Sequence, residues 1–552
     1  MSRFTASAGA RAVLGAALVL LAACDGATDA TDDSDTDVVP PSPCEVLGLP
    51  EVAFDAEATA GTHRREMAAD FAIPRADGNG TWSYAESWTG CDSVIVLPHD
   101  IAISGLNRGS WWSTSVADLV AKSPKNVVYI FIPRRSDVAS TPGIIADMQA
   151  NVDQALAGLS DEDAAWWKDR LIVANDRAYD IGNWATDILR SDVGSSGFGI
   201  DRFQRIRGLG SFADVTAYDP NITAGWPWEQ RLSSAAHEAI YFNFEAERQA
   251  RLDAVDATII EGLDGSVIEQ FEDFDLTLPD AGTMAGFDTL EFDVLMECPD
   301  PEKGEQGNCG AWDYLAHVWL YQGEGEDERR IELARFITTY HRESRWVVDA
   351  SQSLAFLQDG GPIRLRYEWA PSWNTQPTGV TFKVRLSNQG KGMRPTQAIP
   401  LYTGGALNQA YNEDREPMDV DLPSGAKKVE LWAIITGHGA ETNLQCAEFC
   451  NHGHRFTVGG TEYFKDHPEA DEQQACELDV INGTVPNQGG TWWFGRGGWC
   501  PGREVHPWIS DVTADVTLGG STTVDYEATV NGSAPNANLG NIRLSSWLVV
   551  YE

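Results

Sequence analysis

The alternation of apolar and polar positions changes character once along this chain, near residue 256. Downstream the period is two. Leu290, Phe292, Val294 and Met296 alternate with polar residues, and Ile363, Leu365, Tyr367 and Trp369 with Arg364, Arg366 and Glu368. Val380, Phe382, Val384 and Leu386 alternate with Thr381, Lys383, Arg385 and Ser387. Strands of this kind bury one face and wet the other. Many short ones, separated by Gly, Pro and Asn turns, predict antiparallel β-sandwiches over residues 256–552. Upstream, short apolar runs at 93–97, 127–132 and 171–174 read as strands. They are interleaved with a helix at 144–159, a hairpin at 200–207 and a joining helix at 235–252. This alternation predicts an α/β unit over 44–255.

The first residues have a different pattern. Arg3 and Arg11 precede an apolar run, 12–22, too short to span a bilayer permanently. It ends in Leu21-Ala22-Ala23-Cys24, which resembles a bacterial lipobox. That predicts a signal peptide at 1–23 and lipidation of Cys24, followed by a solvated linker at 24–43 rich in Asp, Thr, Ser and Pro. No later apolar run is long enough for a membrane helix. The length suggests about three domains. A net charge of -42 argues against nucleic acid as a partner and is read as solubility. Of nine cysteines, the eight beyond Cys24 are an even number, which fits export.

Candidate chemistry concentrates at Gln445-Cys446-Ala447-Glu448-Phe449-Cys450-Asn451-His452-Gly453-His454. A ring closed by Cys446 and Cys450 would aim Glu448. The same spacing also suits a loop-pinning disulfide or a metal pair. Downstream stand Arg496, Trp499 and Cys500; upstream stand Cys298, Cys309 and Trp312-Asp313. In this order the set resembles the peptide-N-glycosidase F family, over about residues 256–552.

The resemblance implies two eight-stranded jelly rolls side by side, at 256–392 and 393–552, with a boundary in 388–398. It also implies hydrolysis of the amide joining asparagine to the first sugar of an N-glycan. Asp313 matches the family's primary catalytic aspartate. Glu448 and Glu368 match glutamates that bind and orient substrate. Arg496, Trp312, Trp499, Tyr314, Phe449 and His438 are the expected substrate-binding residues. Phe449 replaces a tryptophan, Tyr314 an arginine and Ala370 a tryptophan of the family pattern. Alternation turns Glu368 away from the core, beside arginines expected to favour its charged form. The family's disulfide pattern pairs Cys298 with Cys309, Cys446 with Cys450 and Cys476 with Cys500, leaving Cys44 with Cys91. The whole is expected to be a lipid-anchored, extracytoplasmic monomer acting on N-glycosylated proteins or peptides, with no cofactor, no metal and no nucleic acid.

The α/β unit resembles thioredoxin-like domains in its opening 70–82 and its 200–207 segment. It lacks their CxxC: after the first strand the chain reads Pro98-His99-Asp100. No redox activity is expected; a spacer, a binding surface or a partial cover for the cleft is. Trp492 and Trp493 are further candidates for stacking on sugars. Two rival readings remain. One is a non-catalytic glycan-binding lipoprotein. The other is a copper monooxygenase-like protein, suggested by His438 and the His452-x-His454 pair on a sandwich.

Overall fold

The computed structural model describes residues 41–99, 111–134, 138–194, 197–217, 229–439 and 444–552. The signal peptide, Cys24, most of the linker and Asp100 lie outside the described residues. Two runs without alternation, β1 (Ser93–His99) and β2 (Val127–Pro133), are buried at every position, as strands covered on both faces must be. They pair in parallel, and β3 (Leu171–Val173) pairs in parallel with β2. β4 (Phe198–Ile200) and β5 (Ile206–Gly208) complete a mixed sheet in the order β3-β2-β1-β4-β5.

Helices α1 (Val116–Lys122), α2 (Thr141–Ala157) and α3 (Ala236–Asp253) cover one face of that sheet. Ile95, Leu97, Tyr129 and Phe131 share a core there with Leu119, Met148, Val152 and Phe242. The other face packs Val96, Ile130 and Ile132 on Phe71, Trp82 and Ile188.

Eight strands follow: β6 (Ala257–Ile268), β7 (Phe271–Asp280), β8 (Thr289–Glu297), β9 (Leu315–Gln322), β10 (Arg329–Ile337), β11 (Ser344–Asp349), β12 (Gly360–Glu368) and β13 (Thr378–Ser387). They form two four-stranded antiparallel sheets, β11-β8-β13-β6 and β10-β9-β12-β7. The alternating residues of β8, β12 and β13 fill the core between them, as the pattern predicts.

The outer face of β8 departs from that pattern. Glu291 and Asp293 are buried rather than wet, because α3 and neighbouring arginines cover them. Arg251 bonds Glu291 at 2.6 Å and Arg345 bonds Asp293 at 2.7 Å.

A further eight strands are β14 (Pro395–Ala406), β15 (Met418–Asp421), β16 (Lys428–His438), β17 (His452–Val458), β18 (Thr461–Asp466), β19 (Trp508–Asp511), β20 (Ser521–Val530) and β21 (Asn541–Tyr551). Their sheets, β14-β21-β16-β19 and β15-β20-β17-β18, are again antiparallel and enclose a separate core. The chain is thus mainly β with several antiparallel sheets.

The two sandwiches meet through Ile337 on one side and Trp432, Ile434, Val549 and Tyr551 on the other. A buried ion pair sits in the same contact. Glu332 binds Arg335 at 2.7 Å, and Arg335 donates across the interface to Thr436 and to the Arg543 carbonyl, both at 2.8 Å.

The α/β unit is welded to the same assembly. Val480, Val485, Trp492 and Trp493 of the second β unit belong to the core under α1–α3. Arg342 locks the junction: it pairs with Glu238 of α3 at 2.8 Å and Glu305 at 2.6 Å, and donates to the Pro486 carbonyl at 2.7 Å. The expectation of a spacer is corrected accordingly, since a spacer would not share a core. Four disulfides are present, Cys44–Cys91, Cys298–Cys309, Cys446–Cys450 and Cys476–Cys500, which suits an oxidising, extracytoplasmic compartment. Among the described residues no helix is long and apolar enough to cross a membrane.

Arg342→Met would leave Glu238 and Glu305 buried without their shared cation. A loss of about 3–5 kcal/mol is expected in chemical denaturation; a loss under about 1 kcal/mol would contradict the placement of this pair.

Candidate active site

Arg496 is the centre of the site. Its side chain is 1% exposed and reaches two carboxylates, Glu448 at 3.3 Å and Asp313 at 3.6 Å. The guanidinium also donates to the Thr491 carbonyl at 3.1 Å and the Phe494 carbonyl at 2.8 Å. It lies 5.3 Å from the Phe449 ring centroid and 5.0 Å from that of Trp499. Charge pairing, carbonyl acceptors and aromatic faces together make burial of this cation tolerable.

Each acid is aimed by its own loop. Asp313 follows the Cys298–Cys309 disulfide and enters β9 two residues later. Thr338 staples this turn: its hydroxyl donates to the Trp312 carbonyl and accepts from the Tyr314 N–H, both at 2.7 Å. Glu448 lies in a single helical turn, α4 (Cys446–Phe449), inside the Cys446–Cys450 ring. Gln445 enters that turn at φ +48°, a left-handed conformation rare for a side-chain-bearing residue. The Gly439 N–H donates to Glu448 Oε2 at 3.0 Å. Around the turn the backbones crowd: a Cβ on Gly437 would lie 1.8 Å from the Ala447 carbonyl oxygen, so only glycine fits there.

Burial raises the pKa of both acids above their ordinary values, with Arg496 opposing the rise in each. Tyr340 hydrogen-bonds Asp313, and its hydroxyl accepts from Arg496 at 3.4 Å. Burial and the neighbouring Asp313 push the Tyr340 hydroxyl well above the ordinary phenol range. A pair of partly desolvated carboxylates around one fixed cation can take up and release a proton and stabilise charge that develops beside them.

The remaining candidates divide. Trp312 is 55% exposed beside Asp313, and Tyr314 packs edge-on against Trp373, which is 68% exposed. Phe449 is half-buried against Arg496. Trp499 and His438 stack on each other at 5.1 Å, and the Trp499 indole donates to the Gly437 carbonyl. Trp499 is buried, so it buttresses Arg496 from behind rather than presenting a face to solvent. Trp492 and Trp493 are core residues under α1–α3, which removes them as stacking platforms.

Glu368 does turn outward, as alternation predicts, and Arg366 lies near enough to feel its charge, but the flanking arginines make their direct ion pairs elsewhere. Arg366 is taken by Asp273 at 2.6 Å and Arg364 by Glu328 at 3.1 Å, while Glu368 pairs with Arg330 at 3.1 Å. Its strand neighbour is His317, and its side-chain partner is outside the Arg496 group.

Sequence reasoning missed Tyr340 and Trp373. Tyr340 lies in a motif-free turn after β10. Trp373 was indistinguishable among 20 tryptophans.

The raised acids set a sign for stability. Asp313 and Glu448 keep their protons to higher pH in the folded chain than at their ordinary values of 3.8 and 4.5. Between the ordinary and raised values the native state binds more protons than the unfolded one, so stability falls as pH rises through that interval. In the Asp313→Asn/Glu448→Gln double variant this decline, beginning near pH ~4, should flatten in denaturation curves taken across pH. Parallel curves for wild type and variant would contradict it.

Comparison with known proteins bears on this arrangement. Residues 406–549 match the family described as "Peptide-N-glycosidase F, C terminal". The peptide-N(4)-(N-acetyl-beta-D-glucosaminyl)asparagine amidase F of Elizabethkingia miricola is 22% identical over 261 residues, 43% of this chain and 67% of that protein. Among solved structures, the glycosylasparaginase PNGase F of Flavobacterium meningosepticum is 18% identical over 53% of this chain and 96% of its own, with a TM-score of 0.41. Another structure, of a peptide-N(4)-(N-acetyl-beta-D-glucosaminyl)asparagine amidase, is 19% identical over 54% and 96%, with a TM-score of 0.42. Residues 406–549 are thus similar to the C-terminal part of peptide-N-glycosidase F, and a wider stretch of the chain is similar to an amidase of that kind.

Proposed function

We propose that the chain hydrolyses the amide bond between asparagine and the first N-acetylglucosamine of N-glycans on proteins or peptides. One observation carries the reading: a single buried guanidinium joins Asp313 of the first sandwich to Glu448 of the second. Asp313 accepts the proton of a water that attacks the side-chain amide carbonyl. The C–N bond then breaks, and the proton passes to the leaving nitrogen. Aspartate remains in the chain and a glycosylamine departs.

Burial raises the pKa of Asp313 against the pull of Arg496, which makes it a stronger base than an ordinary aspartate. Arg496 and Tyr340 face the charge that grows on the amide oxygen or on the acid that loses its proton. Glu448 orients the water or the substrate. Trp312 and Trp373 offer exposed rings to sugar faces beside Asp313. Glu368, paired with Arg330, supports substrate from the rim rather than taking part in the proton transfer.

On this reading 256–392 and 393–552 are jelly rolls that share the site. The 44–255 unit, a degenerate thioredoxin-like domain without a redox pair, braces the segment bearing Arg496. Its place in the cell is at an extracytoplasmic membrane face, held by a lipid on Cys24.

The test is mass spectrometry of a denatured N-glycoprotein incubated with the protein in heavy-oxygen water. Glycosylated asparagines should become aspartates carrying the heavy oxygen, with intact glycans released. Asp313→Asn should fold normally and turn over about 10²–10⁴-fold more slowly. Glycopeptide binding without cleavage would support the binding-module reading instead.

A further inference from the structure

Away from the Arg496 group, three histidines converge inside the second sandwich. His452 and His454 lie on β17 and His467 follows β18; all are buried, and their nitrogens come within 4.8 Å of one another. β17 alternates, so His452 and His454 point to the same side as Phe456 and Val458, which belong to the sandwich core. Two imidazoles therefore occupy positions where this fold otherwise places apolar side chains.

Two of the rings have one nitrogen held by a partner outside the group. Tyr526 meets His454 Nδ1 at 2.7 Å. Glu469 Oε1 meets His467 Nδ1 at 2.9 Å. The Gly497 backbone lies against His452 Nε2, so closely that a Cβ there would be 2.1 Å away. His452 Nδ1 stands 2.8 Å from His454 Nε2, and both His452 Nε2 and His467 Nε2 are buried without a hydrogen-bond partner. An outer carboxylate or hydroxyl fixing one nitrogen of an imidazole, as at His454 and His467, is a feature of metal-binding histidines. A buried nitrogen with no partner calls for a reason of its own.

We propose that His452, His454 and His467 bind one divalent transition-metal ion, of which zinc is the type, through one ring nitrogen each. Imidazole suits such ions, with metal–nitrogen bonds of about 2.0–2.1 Å. His438 takes no part: its Nε2 meets Thr436 Oγ1 at 2.9 Å and its ring stacks on Trp499. The set is thus His452, His454 and His467, not the trio of His438, His452 and His454 that sequence proximity suggests.

The enclosed position makes the ion a structural clip. His452 leads out of the ring that holds Glu448, and the backbone next to Arg496 rests on it.

The experiment uses the purified full chain, stripped with chelator and then dialysed against zinc. Elemental analysis should find about one zinc per chain, with a rise in melting temperature on loading. His467→Ala and His454→Ala should abolish uptake, while His506→Ala, at an exposed site, should retain it. X-ray absorption on the zinc-loaded wild type should show an imidazole-type nitrogen shell, and this reading stands whether or not the alanine variants fold. Uptake far below one equivalent, an absorption spectrum without imidazole scattering, or full uptake by folded His467→Ala would each overturn the proposal.

Discussion

Arg496 brings a positive charge into a place where almost none of it meets solvent. An unpaired buried ion is penalised by several kcal/mol, so the residues around it are not optional. Two carboxylates, two backbone carbonyls and two aromatic faces supply the compensation. Because Asp313 and Glu448 come from different sandwiches, the compensation exists only while the sandwiches stay in register. The apolar contact around Ile337 and Trp432, and the Arg335–Glu332 pair beside it, hold that register.

The N-terminal unit enters the same chain of causes. The segment that ends in Arg496 runs through Trp492 and Trp493, which lie in a core made chiefly of α/β residues. Tyr340, which touches both Asp313 and Arg496, packs against that core too. The α/β unit therefore fixes the guanidinium from behind, and the site rests on three pieces of chain rather than two. This gives the unit a purpose that needs no redox chemistry.

Much of this was legible in the residues, for identifiable reasons. Period-two alternation in β12 and β13 follows directly from one-sided burial, so those strands were readable. The Cys446–Cys450 pairing followed from the resemblance, since the spacing alone also suits a metal pair, and the disulfide is present. What escaped depends on distant partners. Glu291 and Asp293 looked solvent-facing until α3 covered them. Arg364 and Arg366 looked available to Glu368, but acids on neighbouring strands claim them. The roles of Tyr340 and His467 arise from contacts between segments that no spacing announces.

The most direct test of the central claim is a double-mutant cycle on stability, pairing Arg496→Met with Asp313→Asn/Glu448→Gln. If one cation compensates both acids, Arg496→Met should cost far more in the wild-type background than in the amide background. The coupling should be about 1–3 kcal/mol by chemical denaturation. Additive effects would mean that Arg496 and the two acids do not form one electrostatic unit, and the account of the site would fail with them.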